Sequence, residues 1–164
     1  MTERIAKAFF VLAAAMMAAL LSLSGAFAST DGPRVALVIG NSAYTAVGAL
    51  PNPVNDASDV ADAFAAIGFE VTHLDNLDGQ SMRKALRDFE TKSSGAAIAV
   101  VYYAGHGIEV DGVNYLIPVD AGLERDTHVE DEAVPLSRVM TAVDGAKGLR
   151  LVLLDACRNN PFIA

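Results

Sequence analysis

The sequence holds a single cysteine, Cys157, among 164 residues, so no disulfide can form within the chain. A leftover thiol of this kind is either buried and inert or a free reactive group. Basic residues are also scarce: 12 Lys and Arg face 20 Asp and Glu, for a net charge of −8. An acidic surface repels phosphate backbones, which argues against a nucleic-acid partner. No phosphate loop and no G-x-S-x-G elbow occurs, and Ile39-Gly40-Asn41-Ser42-Ala43 lacks the second and third glycines of a dinucleotide fingerprint. Internal repeats are missing, and the N-terminal segment is the one compositionally biased stretch. What is there is 52% hydrophobic and 20% charged, the composition of a single globular domain.

The N-terminus reads as a targeting segment. Arg4 and Lys7 give a short basic start, and an apolar run spans Ala8 to Leu23. Ala26-Phe27-Ala28 then forms an A-x-A cleavage pattern ahead of polar residues. The run is shorter than the ~20 residues a spanning helix needs. Residues 1–28 are therefore expected to be a signal peptide, and residues 29–164 an exported domain, periplasmic or secreted. A membrane role arises only if the signal stays uncleaved. Removing residues 1–28 takes Arg4, Lys7 and Glu3, so 10 basic and 19 acidic residues remain and the net charge becomes −9.

Beyond the signal, apolar runs alternate with segments of helical period. Arg34–Gly40 is a Val- and Ile-rich run closed by glycine, as a buried strand requires. Val60, Phe64 and Ile67 mark the inner face of a helix stopped by Gly68. Phe69–Leu74 alternates as a second strand, and Met82, Leu86 and Phe89 mark a second helix. Ala96–Ala104 is a long apolar strand. Ile108–Val110 and Asn114–Val119 flank Asp111-Gly112, a hairpin signal. Leu136, Val139, Met140 and Val143 predict a third helix, and Leu149–Asp155 a fourth main strand. This alternation predicts an α/β fold with a mostly parallel sheet covered on both faces. Right-handed crossovers restrict its topology. Active sites of such sheets form beyond the carboxyl ends of the strands. The rule selects Asn41 onward, Asp75 onward, Gly105-His106-Gly107 and Asp155-Ala156-Cys157.

Two of these ends carry the groups a thiol hydrolase needs. His106 and Cys157 each follow an apolar strand, and neighbouring strands lie ~4.8 Å apart. An imidazole beside a thiol supports the thiolate, which is the nucleophile. The amides of Gly107 and Cys157 are candidate oxyanion donors. Taken singly, each feature has a plain alternative. A cysteine after a strand is usually a core residue, and Gly-His-Gly can be a tight turn.

YYAGHG, followed 51 residues after its histidine by the cysteine of LLDACRNNPF, resembles the p20 catalytic region of caspase-like peptidases, whose His and Cys stand about 50 residues apart. The resemblance runs from RVALVIGNSAY through GVNYLIPVDA to DACRNNPF. It implies a three-layer caspase-like fold with His106 and Cys157 as the catalytic dyad and Gly107 and Cys157 as the oxyanion hole. Asp155 stands where animal caspases have glutamine, and in this the sequence is similar to metacaspases and paracaspases, which cut after Arg or Lys. Leu50–Ala57 resembles the short acidic motif of those families. Asp56 and Asp155 are thus expected to line an acidic S1 pocket, and two carboxylates in a partly dry pocket suit a guanidinium. The simpler readings are helix capping by Asn55 or Asp56 and a strand-end Asp155 bound to local backbone amides.

The resemblance implies a cysteine endopeptidase acting on peptides or proteins with a basic P1 residue. No cofactor is needed for that chemistry. Asp120, Glu124, Asp126, Glu130, Asp131 and Glu132 could attract calcium, which some metacaspases use, yet no specific calcium motif is present. A solvated acidic loop holding His128 is the simpler expectation, with His73 a structural residue and no metal ligated by either. Caspase-like domains add a p10-like part after the nucleophile. That part is expected to be absent, the fold stopping after its fourth main strand and drawing on a p10-like chain or segment. A non-catalytic caspase-like interaction module remains the alternative.

Overall fold

The computed structural model describes residues 32–157. The signal-peptide reading of residues 1–28 lies outside these residues. The elements are β1 (Arg34–Gly40), α1 (Pro53–Ala66), β2 (Glu70–Asp75), α2 (Gly79–Ser93), β3 (Ile98–Val110) and β4 (Val113–Leu116). A 3-10 turn at Asp126–His128 leads into α3 (Val129–Glu132), β5 (Val134–Pro135), α4 (Leu136–Thr141) and β6 (Leu149–Cys157).

Strands β2, β1, β3 and β6 form a parallel sheet in that order, with β3 between β1 and β6. β1 is a run of branched residues whose side chains from Val35 to Ile39 are almost fully buried. Burial on both faces is what a parallel strand sandwiched by helices demands. On one face Val35, Leu37, Ile39, Val101 and Tyr103 pack with Met82, Leu86 and Phe89 of α2 and Val139 of α4. On the other, Val38, Tyr102 and Ala104 pack with Ala57 and Ala61 of α1. Three layers result, as expected from the alternation of strands and helices. Each large aliphatic or aromatic side chain so buried contributes about 1.5–3 kcal/mol of transfer free energy.

The predicted helices form, with one change of face. Met82, Leu86 and Phe89 are buried on α2 as the period predicts, and Asp78 caps that helix by accepting from the Ser81 amide at 2.7 Å. In α1 the inner face is Ala57 and Ala61, flanked by Val60 and Phe64. Ile67, expected on that face, is 60% exposed. The helix has closed at Ala66, and Ile67 is its C-cap with φ −98° and ψ 15°, so the helical period no longer sets its direction.

β3 departs most from the sequence reading. Its 13 residues run straight through Gly105-His106-Gly107, where a strand end or a tight turn was expected. Ile98–Ala104 pair in parallel with Arg34–Gly40 of β1. From Gly107 the same strand pairs antiparallel with β4, Gly107 opposite Leu116. The hairpin between β3 and β4 turns on Asp111 and Gly112, both at positive φ (49° and 80°), the geometry that Asp-Gly supplies. β4 also pairs antiparallel with β5, a two-residue strand too short for hydrophobic periodicity to reveal. β6 runs to Cys157, two residues beyond the predicted end.

Candidate active site

Two glycine-dependent close approaches bear on the carboxyl ends of the strands. A Cβ on Gly40 would stand 2.7 Å from the Pro53 carbonyl and 2.8 Å from the Ala57 Cβ. The missing side chain lets the first turn of α1 settle on the end of β1, and Asp56 belongs to that turn. Asn52 is the N-cap and Pro53 opens the helix, so Asn55 and Asp56 are not capping residues, contrary to the simpler expectation. Asp56 instead lines a cleft of about 620 Å³ with Asn52, Gly105, His106, Asp155 and Ala156.

Gly105 is the second close approach. A Cβ there would lie 2.6 Å from the Tyr44 hydroxyl and 2.7 Å from the Tyr103 hydroxyl. The two phenols therefore reach directly beneath the residue that precedes His106. The His106 amide donates to the Tyr44 oxygen at 2.7 Å, and the His106 carbonyl accepts from the Tyr103 hydroxyl at 2.8 Å and from the Ile117 amide at 3.1 Å. Burial raises the Tyr44 pKa and pushes that of Tyr103 well above the usual phenol range, so both remain protonated donors. The Tyr44 ring also lies against the imidazole, centroid to centroid 4.5 Å at a tilt of 53°.

His106 Nε2 is buried and has no hydrogen-bond partner among the described residues. Desolvation lowers the His106 pKa, opposed by a hydrogen bond to the Gly48 backbone, so the neutral imidazole is favoured at neutral pH. An unpaired buried ring nitrogen in a cleft is what a proton-transfer partner leaves open.

In the parallel register of β3 and β6, the Cα of His106 pairs with that of Cys157, and Ala104 pairs with Asp155. The sequence set His106 and Cys157 just past two neighbouring strands. The structure keeps both within the strands and makes those strands adjacent. Gly107 lines a smaller recess of about 180 Å³ that shares Leu154 and Ala156 with the main cleft.

Asp155 and Asp56 act on the same neighbour. The Tyr102 hydroxyl donates to Asp155 Oδ2 at 3.4 Å. Its pKa is pushed up to about 12, first by burial and then by the negative charges of Asp155 and Asp56. Two carboxylates are thus close enough to one phenol for both to oppose its ionisation. Among the described residues the Asp155 side chain accepts from this phenol and not from local backbone amides.

Two of the remaining acidic residues, Glu132 and Asp120, are held by backbone amides. Glu132 accepts from the Gly122 and Leu123 amides at 2.6 and 2.8 Å. These bonds, the one to Leu123 foremost, hold its carboxyl below the usual range. Asp120 accepts from the Gly79 amide at 2.9 Å. His128 Nδ1 stands 3.6 Å from Glu132 Oε1, and His73 Nε2 stands 3.1 Å from Asp75 Oδ1. A separate recess of about 520 Å³ lies between β2 and α2, lined by Leu74, Phe89, Lys84 and Lys92 among others. The histidine and the aspartate pair gather in the strand-end cleft instead.

Sequence reasoning missed Tyr44, Tyr102, Tyr103 and Gly48, and marked Asn41 only as the end of a strand. Asn41 is fully buried and bridges strand ends. Its side-chain amide donates to the Ile117 carbonyl at 3.2 Å, and its oxygen accepts from the Leu77 amide at 2.9 Å. The strand-end rule had pointed at Asn41 onward, which is the available signal. A tyrosine inside an apolar strand gives no sign of where its hydroxyl goes.

Comparison with known proteins agrees with this geometry. Residues 33–163 match a family described as Caspase domain. The chain is 30% identical over 135 residues to the human mucosa-associated lymphoid tissue lymphoma translocation protein 1, covering 79% of this chain and 16% of that protein. It is 29% identical over 126 residues to the mouse homolog, covering 76% of this chain and 15% of the relative. The chain thus spans about one sixth of the length of these relatives. A match over nearly the whole three-layer domain, taken with a histidine strand laid beside a cysteine strand, places the chain in the caspase domain family of peptidases.

Proposed function

We propose that this domain is a cysteine endopeptidase that cleaves after Arg or Lys. The observation that carries the reading is the Cα pairing of His106 with Cys157 across β3 and β6, with His106 lining a cleft that also takes in Asp56 and Asp155. The Cys157 thiolate attacks the scissile carbonyl, and the carbonyl electron pair moves to oxygen. The amides of Gly107 and Cys157 receive that oxyanion. His106 takes the thiol proton and returns it to the leaving amine as the C–N bond breaks. Water then attacks the thioester, His106 takes its proton, and the acid product leaves with the thiol restored. Asp56 and Asp155 receive the basic P1 side chain, which a guanidinium fork suits well. Tyr102, donating to Asp155, supports the orientation of that carboxylate.

The wider reading is an exported protein whose residues 1–28 are a cleaved signal peptide ahead of a domain at 29–164. Leu149, Leu153 and Leu154 of β6 are exposed, which supports pairing of that strand with a p10-like chain or segment. The chemistry calls for no cofactor. The test is a panel of fluorogenic peptides that differ at P1 alone. Arg and Lys substrates are cleaved and Asp substrates are not; preference for Asp would refute the pocket and leave the dyad standing.

A further inference from the structure

We propose that Tyr44 and Tyr103 are positioning residues for His106, their hydroxyls closing a hydrogen-bonded ring on its backbone that fixes where the imidazole stands. The inference rests on the peptidase reading and goes beyond it by naming what holds the histidine.

His106 needs such support because of its place in the sheet. β1 stops pairing at Gly40 opposite Ala104, and β4 starts at Gly107 opposite Leu116. His106 lies between the two ladders, on the side of β3 where neither strand serves its amide. A buried N–H without an acceptor is costly. The Tyr44 hydroxyl fills that gap at 2.7 Å.

Counting protons gives the ring a direction. Tyr103 has one hydroxyl proton, and two carbonyls are within its reach: His106 at 2.8 Å and Ile117 at 2.9 Å. That proton is committed to the carbonyl side. The 3.2 Å contact between the two phenols must therefore use the Tyr44 proton, with Tyr103 oxygen accepting. Tyr44 oxygen is then left to accept the His106 amide. The sequence of donors runs from the His106 N–H to Tyr44, to Tyr103 and back to the His106 carbonyl. Both peptide units flanking the His106 Cα are thereby held. Gly105 closes the device, since a side chain there would collide with both hydroxyls. The tilted contact of the Tyr44 ring with the imidazole adds a side-chain restraint to the backbone one. Neither phenol lines the strand-end cleft, so each acts through His106.

Hydrogen-bonded rings of this kind act as a unit, so breaking one member should release the whole. The test follows the rate of Cys157 alkylation by iodoacetamide against pH in the full chain. It compares wild type, Tyr44→Phe, Tyr103→Phe, the double variant and His106→Ala, with near-UV circular dichroism reporting the fold. Wild type should react at lower pH than His106→Ala, because the imidazole supports the thiolate. Each Tyr→Phe change should move the profile up by about one pH unit toward the free-thiol value, or roughly tenfold slower alkylation on the acid limb. The high-pH plateau and the dichroism should be unchanged. The double variant should be no worse than either single one. A merely structural tyrosine would change the folded fraction and leave the pH profile of the folded protein in place. Should Tyr103→Phe fail to fold, the profile of Tyr44→Phe decides alone. Profiles matching wild type, or a double variant showing the sum of two independent effects, would overturn the ring. Coincidence of wild type with His106→Ala would overturn the peptidase reading and the ring together.

Discussion

The Cα of His106 pairs with the Cα of Cys157 in the parallel ladder of β3 and β6. One histidine, on the strand that changes ladders, therefore meets the chain's one cysteine at the same level of the sheet. General acid–base catalysis by a placed imidazole is worth about 10²–10⁴-fold. His106→Ala should thus lower kcat by at least ~10²-fold with little change in substrate binding. Steady-state kinetics on an Arg substrate checks this. Survival of kcat with a raised KM would make His106 a binding residue.

The aspartate pair makes a second prediction. Asp56 comes from the first turn of α1 and Asp155 from β6, yet both charges bear on Tyr102. If they form the proposed S1 pocket, Asp56→Asn and Asp155→Asn should each lower kcat/KM for Arg substrates by on the order of 10²-fold, because each removes one carboxylate facing the P1 cation. Neither change should create a preference for Asp at P1. The same P1 panel run on both variants measures it.

Gly40 tests how the fold delivers Asp56. The Cβ of an alanine would sit 2.7 Å from the Pro53 carbonyl, and backbone cannot yield as a flexible side chain does. Gly40→Ala should cost about 1–3 kcal/mol in denaturant unfolding, the usual range for overpacking. It should also weaken Arg-substrate binding, because α1 must back away from the strand ends. A stability loss with unchanged KM would separate the packing from the pocket.

The depressed His106 pKa predicts a pH effect of definite sign. Burial disfavours the imidazolium, so the unfolded chain binds this proton more tightly than the folded one. Stability therefore falls as pH drops below the unfolded value of about 6.5 and continues to fall until the folded pKa is passed. Urea unfolding of Cys157→Ala, which has no thiolate to attract the imidazolium, should show this loss. His106→Gln in that background should reduce it. An unchanged pH slope would contradict the assignment.

Much of the scaffold was legible because burial imposes period. β1 was read to its residue bounds, and Met82, Leu86 and Phe89 disclosed the buried face of α2. The hairpin at Asp111-Gly112 was legible from its turn chemistry. The Ile67 face failed because a helix cap, set by local backbone geometry, overrode the period. β3 was read too short because glycines on either side of His106 look like a strand end, while long-range pairing with β4 carries the strand onward. At the site, His106, Asp56 and Asp155 were legible and meet in one cleft. The tyrosines around them were not, since a hydroxyl's partner 62 residues away, as for Tyr44 and the His106 amide, leaves no local pattern.

Labelling by peptide fluoromethyl ketones tests the central claim most directly, because the chain has one cysteine and the modified thiol is unambiguous. Intact-mass and peptide mapping of the full chain should show stoichiometric modification of Cys157 by a ketone with Arg at P1. The rate should fall at least ~10²-fold in His106→Ala and be far lower for the Asp-P1 probe in wild type. Equal labelling of wild type and His106→Ala by the Arg probe would contradict the Cys157–His106 dyad.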